Sequence, residues 1–325
     1  MGYPYNPTAE VMDDMYAMAY AARRPNIVDN IFGQTAGWNL LVKQKKASRP
    51  QRGGRFIEQP LRYAKNETIR FIGRGANMTV TDTQSLTMAY FNWKYAAGSV
   101  ARYFTDDQQL TGKTQIKSQV KEKLDVLEMS MVEYMEAALF GDGTGDGGLA
   151  ITGLQNVIDT TPATGTIGGL NAATYSWWRN QSTAYTGSFD VYGVSDWRTM
   201  RNDCSNGGQD YPDIMITDQD QFEAYEDEGL EYYQTSDRSL VDLSFENLKF
   251  KGSTLVWATS MLSAATYFIN SKYINVVYDP LYVFTMTPWK DIPTQVNDRV
   301  AQIVWAGNIT CSNRSRHGVQ TGYTA

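Results

Sequence analysis

Between residues 114 and 140 the apolar positions Ile116, Val120, Leu124, Leu127, Met131, Tyr134 and Ala138 step by 4, 4, 3, 4, 3 and 4, with no Gly or Pro in the run. That spacing keeps them on one face of a helix, which at ~1.5 Å per residue would extend about 40 Å. Gly141 ends the pattern, and the Gly- and Asp-rich stretch after it reads as a flexible exit loop. Near the start, Asn6 and Pro7 precede Val11, Met15, Met18 and Ala22, a helical spacing that Pro25 stops. The runs 55–63 and 68–72, flanking 64–67 and preceded by Gly53-Gly54, predict a long hairpin. Its apolar content is too low for a free-standing ribbon, so it must lie on another surface. Further on, helices are predicted at 196–204 and from a capping-box-like Asp220 and Glu223 to about 228. Strands are predicted at 214–217, 254–258, 267–269, 274–278 and 300–306. Helix and strand mix without a βαβ rhythm, which makes the class α+β.

Charge adds a second layer to this pattern. The 325-residue chain has 29 basic and 35 acidic residues, a net charge of −6, the wrong sign for a protein that grips DNA through its phosphates. The imbalance is not uniform. Residues 43–74 carry ten bases against two acids, including Arg49, Arg52, Arg55, Arg62, Lys65 and Arg70. Residues 203–246 carry thirteen acids against one base, including Asp220, Glu223, Glu226, Asp227, Glu228 and Glu231. Opposite potentials of this kind orient an encounter between two copies of a chain and penalise wrong registers, so both sets are expected at contacts between subunits.

Catalytic patterns do not emerge. Cys204 and Cys311 have no CxxC or Cys/His spacing around them, which argues against a zinc site or a disulfide framework. The single histidine, His317, falls in a polar stretch that reads as a flexible end, a poor setting for a Ser-His-Asp triad. Gly112-Lys113-Thr114 lacks the glycine a phosphate loop needs five positions earlier, where Asp107 stands. Asp142, Thr144, Asp146 and Gly147 imitate the start of a calcium loop, but the twelfth position is Gly153 and the bidentate Glu is missing. Asp218 and Asp220 are explained by helix capping, and Trp177-Trp178-Arg179 by core or interface packing. No cofactor and no metal are expected. The apolar run from Met15 to Ala22 follows acids and precedes arginines, the reverse of a signal peptide, and nothing reaches the ~18–20 apolar residues that span a bilayer.

Several pieces, in order, resemble the major capsid proteins of tailed bacteriophages, the Hong Kong 97 shell fold. They are Leu139-Phe140-Gly141-Asp142-Gly143-Thr144 closing a long helix, then Gly153-Leu154-Gln155, Pro212-Asp213-Ile214-Met215-Ile216-Thr217, Phe250-Lys251-Gly252 and Tyr267-Phe268-Ile269-Asn270. The resemblance implies an N-terminal arm at 1–45, an extended loop at 46–92, a peripheral domain at 93–187 and 286–325 built on the long spine helix, and an axial domain at 188–285. It implies a non-enzymatic subunit that assembles with itself into hexamers and pentamers around double-stranded DNA, without sequence-specific binding and without a membrane. Partners would be a portal protein, a separate scaffolding protein and a cement protein. An encapsulin-like compartment shell is the nearest alternative, and a secreted glycan-binding module or hydrolase a more distant one.

Overall fold

The computed structural model describes residues 48–77, 80–103, 113–233, 249–293, 295 and 298–323. The expected arm, with its Lys43 and Lys45, the adjoining Lys46, and the acids Asp237, Asp242 and Glu246 lie outside the described residues.

Two six-stranded sheets carry the fold. The first is organised on one long strand, β15 (Arg299–Cys311), joined by β1 (Ser48–Pro50), β4 (Lys94–Arg102), β12 (Ile274–Tyr278), β13 (Thr285–Met286) and β14 (Lys290–Asp291). Antiparallel β4 runs along its first two thirds, from Arg299 opposite Arg102 to Gly307 opposite Lys94. Strand β12 covers the rest, from Tyr278 opposite Gly307 to Ile274 opposite Cys311, and β1 adds in parallel to β12. The pattern predicts 300–306 as strand, and pairing extends it by five residues at its C-terminal end.

The second sheet has the order β7 (Gln181–Ala184), β16 (Gly318–Thr321), β11 (Ala265–Ile269), β8 (Ile214–Thr217), β10 (Ser253–Trp257) and β9 (Lys249–Phe250). Strands β8 and β11 lie in its interior and every residue in them is buried, which is why both read as continuous apolar runs. Met215 and Phe268 face Trp197 and Met200 of α3 (Val194–Asp203) and Phe222 of α4 (Gln219–Tyr233). Ile214, Ile216, Tyr267 and Ile269 face the opposite way, into the largest core cluster.

That cluster is shared with the long helix α1 (Lys113–Phe140), whose Leu124, Met131, Met135, Leu139 and Phe140 are buried. The observed stripe turns slightly from the expected one: Met135 is buried and Tyr134 is exposed, its hydroxyl donating to Asp146. Gly98 of β4 lets the helix approach, because a Cβ there would stand 2.8 Å from Leu127 Cδ1. After the exit loop, α2 (Leu154–Val157) begins against the end of α1, with Gln155 N–H donating to the Gly141 carbonyl at 3.2 Å. A side chain at Gly153 would collide with that same carbonyl, so the glycine is required by close backbone approach.

The hairpin differs from its expected pairing. Strand β2 (Ile57–Arg62) pairs with β3 (Leu86–Phe91), not with 68–72. Ile57, Leu61, Ala89 and Phe91 share one face, and that face packs on Ile167, Leu170 and Trp178, beside the small hairpin of β5 (Thr166–Ile167) and β6 (Leu170–Asn171). Residues 68–72 find no such surface. His317 also departs from expectation. It is fully buried at the start of β16, with Nδ1 accepting the Asn270 N–H at 3.2 Å, because the chain end is drawn into the second sheet. Beside it the buried Arg314 donates to the Val157 and Trp178 carbonyls and to Asn180 Oδ1, at 2.7, 3.0 and 2.9 Å. Among the described residues no helix is long and apolar enough to cross a membrane.

Candidate inter-subunit surface

Residues 63–77 and 80–85 belong to a long loop leaving the β2–β3 ribbon. Its neck is closed by Tyr63 N–H donating to the Ser85 carbonyl at 3.0 Å and by Tyr63 stacked on Trp177, with ring centroids 5.5 Å apart. Local bonds shape the rest. Asn66 Oδ1 accepts from the backbone and hydroxyl of Thr68, at 2.9 and 2.6 Å. Ala76 N–H donates to the Gly73 carbonyl at 3.2 Å, and Gly75, at φ +80°, supplies the left-handed position of that turn. Among the described residues no core cluster includes the loop's side chains. Ile69, Phe71, Ile72 and Val80 are 82%, 108%, 60% and 92% exposed. Burying side chains of this size stabilises by roughly 1.5–3 kcal/mol each, which makes this segment a candidate contact surface.

The six cations expected at contacts are all exposed: Arg62, Lys65 and Arg70 on the ribbon end and loop, Arg52 and Arg55 in the segment that leads into β2, and Arg49 in β1 of the first sheet. Arg49 reaches Gln59 Oε1 at 3.4 Å, Arg55 lies over the Phe56 ring at 5.2 Å, and Arg70 donates to the Asn77 carbonyl. Arg52, Arg62 and Lys65 complete the set, and none of the six is ion-paired with a carboxylate among the described residues.

The acidic run is divided by the structure. Asp210 pairs with Lys272 at 3.0 Å and accepts from Tyr273, while Asp213 accepts from Ser271 N–H and Oγ. The cap of α4 is Asp218, not Asp220: its Oδ1 accepts the Gln219 N–H at 2.8 Å, and its other oxygen accepts from Ala264 at 3.1 Å. These acids hold the second sheet together. The remaining acids expected at contacts lie on α4. Asp220, Glu223 and Asp227 are exposed, Glu226 and Glu228 are half-buried, and the Glu231 side chain is outside the described set. Burial, and after it the charges of Asp227 and Glu223, raise the Glu226 carboxyl above its ordinary range. The basic loop and the acidic helix are not joined by an ion pair within the chain among the described residues.

No protein-family model matches the chain, and no curated protein matches it by sequence. Solved structures do match. The cyanophage A-1(L) capsid subunit is similar with a TM-score of 0.61 at 15% identity, over 88% of this chain and 92% of that one. The capsid protein of Myoviridae phage XM1 is similar with a TM-score of 0.60 at 10% identity, over 87% and 92%. This is the Hong Kong 97 capsid fold. The same fold includes the SrpI encapsulin of Synechococcus elongatus PCC 7942, similar with a TM-score of 0.53 at 10% identity, over 88% and 90%.

Within the capsid fold, the sequence patterns had indicated the ribbon's charge but not its most telling side chains. Ile69, Phe71, Ile72 and Val80 carried a signal of their own: an aromatic and three β-branched residues in a segment with no core to enter. Trp177-Trp178-Arg179 packs as expected. Trp178 Nε1 donates to the Ile167 carbonyl at 3.1 Å, and Arg179 donates to the carbonyls of Ala172 and Ala173 at 2.7 and 2.9 Å.

Proposed function

We propose that this chain is the major capsid protein of a tailed bacteriophage, a non-catalytic subunit whose activity is assembly. The observation that carries the reading is the uncovered loop 63–85, apolar and cationic at once, on a subunit with the capsid fold. A loop on one part of a molecule that seeks a different part of its neighbour makes a head-to-tail contact, and such contacts close into rings. Hexamers and pentamers of this kind then tile a closed shell, in which many modest contacts act together. The peripheral part is assigned to 93–187 and 286–325 around α1, the axial part to 188–285, with β16 and β7 tying them together in the second sheet. The six cations are assigned to contacts with a neighbour, and the acids of α4 are their proposed counterparts. Double-stranded DNA is confined and not gripped, in keeping with the net charge of −6. Portal, scaffolding and cement proteins are the further partners of this reading, and the virion is its location.

The second reading, a compartment shell around protein cargo, is favoured by the encapsulin likeness. Electron microscopy of the purified chain, with assay of particle contents, tests both. Closed shells that take up DNA when produced with a packaging system support the capsid reading. Shells that retain a specific protein and exclude DNA overturn it in favour of the compartment, and monomers under all conditions overturn both.

A further inference from the structure

The exit of α1 holds a feature outside the contacts proposed above. A cavity of about 350 Å³ opens there, with Asp142, Thr144, Asn156 and Asp159 on its wall and Tyr267 lining it from the core. No lysine or arginine lines it, and the chain has none between Lys123 and Arg179. Each carboxylate has one oxygen occupied. Asp142 Oδ1 accepts from the N–H and hydroxyl of Thr144 at 2.9 and 2.7 Å, and Asp159 Oδ1 from those of Thr161 at 2.8 and 3.0 Å. The second oxygen of each has no protein donor among the described residues.

Tyr267 supplies an independent sign of a ligand. It is fully buried, yet its hydroxyl has no hydrogen-bond partner in the protein. Buried polar groups are nearly always satisfied, so an orphaned hydroxyl on a cavity wall marks where something bound belongs. Burial, then the nearby Asp159 charge, raises the phenol above its ordinary range, which keeps it protonated and places that charge within its field.

We propose that this pocket binds a hydrated divalent cation, held between Asp142 and Asp159, with Tyr267 Oη accepting a hydrogen bond from a coordinated water. The donor set selects the hydrated form. A dehydrated calcium ion needs about six to eight oxygen ligands, more than two carboxylates furnish, whereas magnesium keeps several waters and takes one or two carboxylates. The calcium-loop-like pattern is thus misleading in its third member: Asp146 accepts from Tyr134, and the partner of Asp142 is Asp159.

Terbium, a luminescent stand-in for hard cations, tests the site on the full-length protein. Tyrosine excitation should give saturable terbium emission that magnesium displaces. D142N alone should weaken binding roughly tenfold, and D142N/D159N more, since asparagine keeps the Oδ1 that accepts from threonine but removes the charge. Y267F should keep most of the affinity and lose part of the sensitised emission. Magnesium should also raise the melting temperature of the wild type above that in sodium chloride of equal ionic strength, and do so less for D142N. Equal terbium binding by wild type and both Asn variants overturns the proposal. So does displacement by putrescine but not by magnesium, which would assign the pocket to an ammonium group.

Discussion

His317 and Arg314 show how single residues commit this chain to its fold. Arg314 is wholly buried, and three acceptors from two separate segments meet its guanidinium, so one side chain ties α2 and the 176–180 turn to the C-terminal segment that carries it. Such a cation is costly to bury and far costlier to strand, because each acceptor would lose its partner. The neighbouring His317 is held neutral. Burial first, then the Arg314 charge, lower its pKa to about 3, with Asp213 opposing weakly. In the unfolded chain the ordinary value is ~6.5, so between these two limits the unfolded state binds a proton that the folded state refuses. The stability associated with neutral His317 is therefore complete above about pH 6.5 and is lost as pH falls toward 3, with a slope of up to ~1.4 kcal/mol per pH unit. Urea unfolding between about pH 7 and pH 4.5 measures it. The wild type should lose more stability across that interval than H317N, which keeps an acceptor for Asn270 but cannot titrate; parallel curves would refute this role.

Elements divide into those that carry their own instructions and those decided by what they meet. Helix α1 is of the first kind, since an apolar repeat over 28 residues leaves little choice of structure. So are β8 and β11, whose unbroken apolar runs match strands buried on both faces. The pairing of β2 was not legible locally, because Ile57 and Leu61 choose their register by packing on Ile167, Leu170 and Trp178, more than a hundred positions later. The same holds for the cap of α4: Asp218 and Asp220 are locally interchangeable, and the distant Ala264 N–H settles the matter. The acidic run reads as one surface, but Asp210, Asp213 and Asp218 are engaged internally, by partners such as Lys272, Ser271 and Ala264. Two substitutions separate fold from assembly at this scale. Met131→Asp places an unpaired charge on a face only 7% exposed and should destabilise the subunit by about 3–5 kcal/mol, seen as loss of folded protein by circular dichroism. Phe71→Ser acts on a fully exposed ring. It should leave subunit stability within about 0.5 kcal/mol of wild type and sharply reduce particle yield by size-exclusion chromatography. A destabilised Phe71 variant would mean that the loop packs on its own chain.

For the whole molecule, the proposal is that two oppositely charged surfaces and one exposed apolar loop set how copies meet. Exposed ion pairs add little to a finished contact, but they speed and orient encounter. Assembly followed by light scattering should therefore slow as salt is raised and the screening length shortens to about 8 Å near physiological strength, while finished particles weaken much less. Replacing Arg49, Arg52 and Arg55 with Glu should slow assembly in the same way; normal assembly with leakage of packaged DNA would instead assign these residues to the nucleic acid. The most direct test of the account is sedimentation of the full chain beside a variant in which a short turn replaces residues 64–84. The full chain should sediment as closed shells, and the shortened chain as a folded monomer with the same secondary structure. Shells formed equally well without the loop, or a full chain that stays monomeric at every salt concentration, would contradict it.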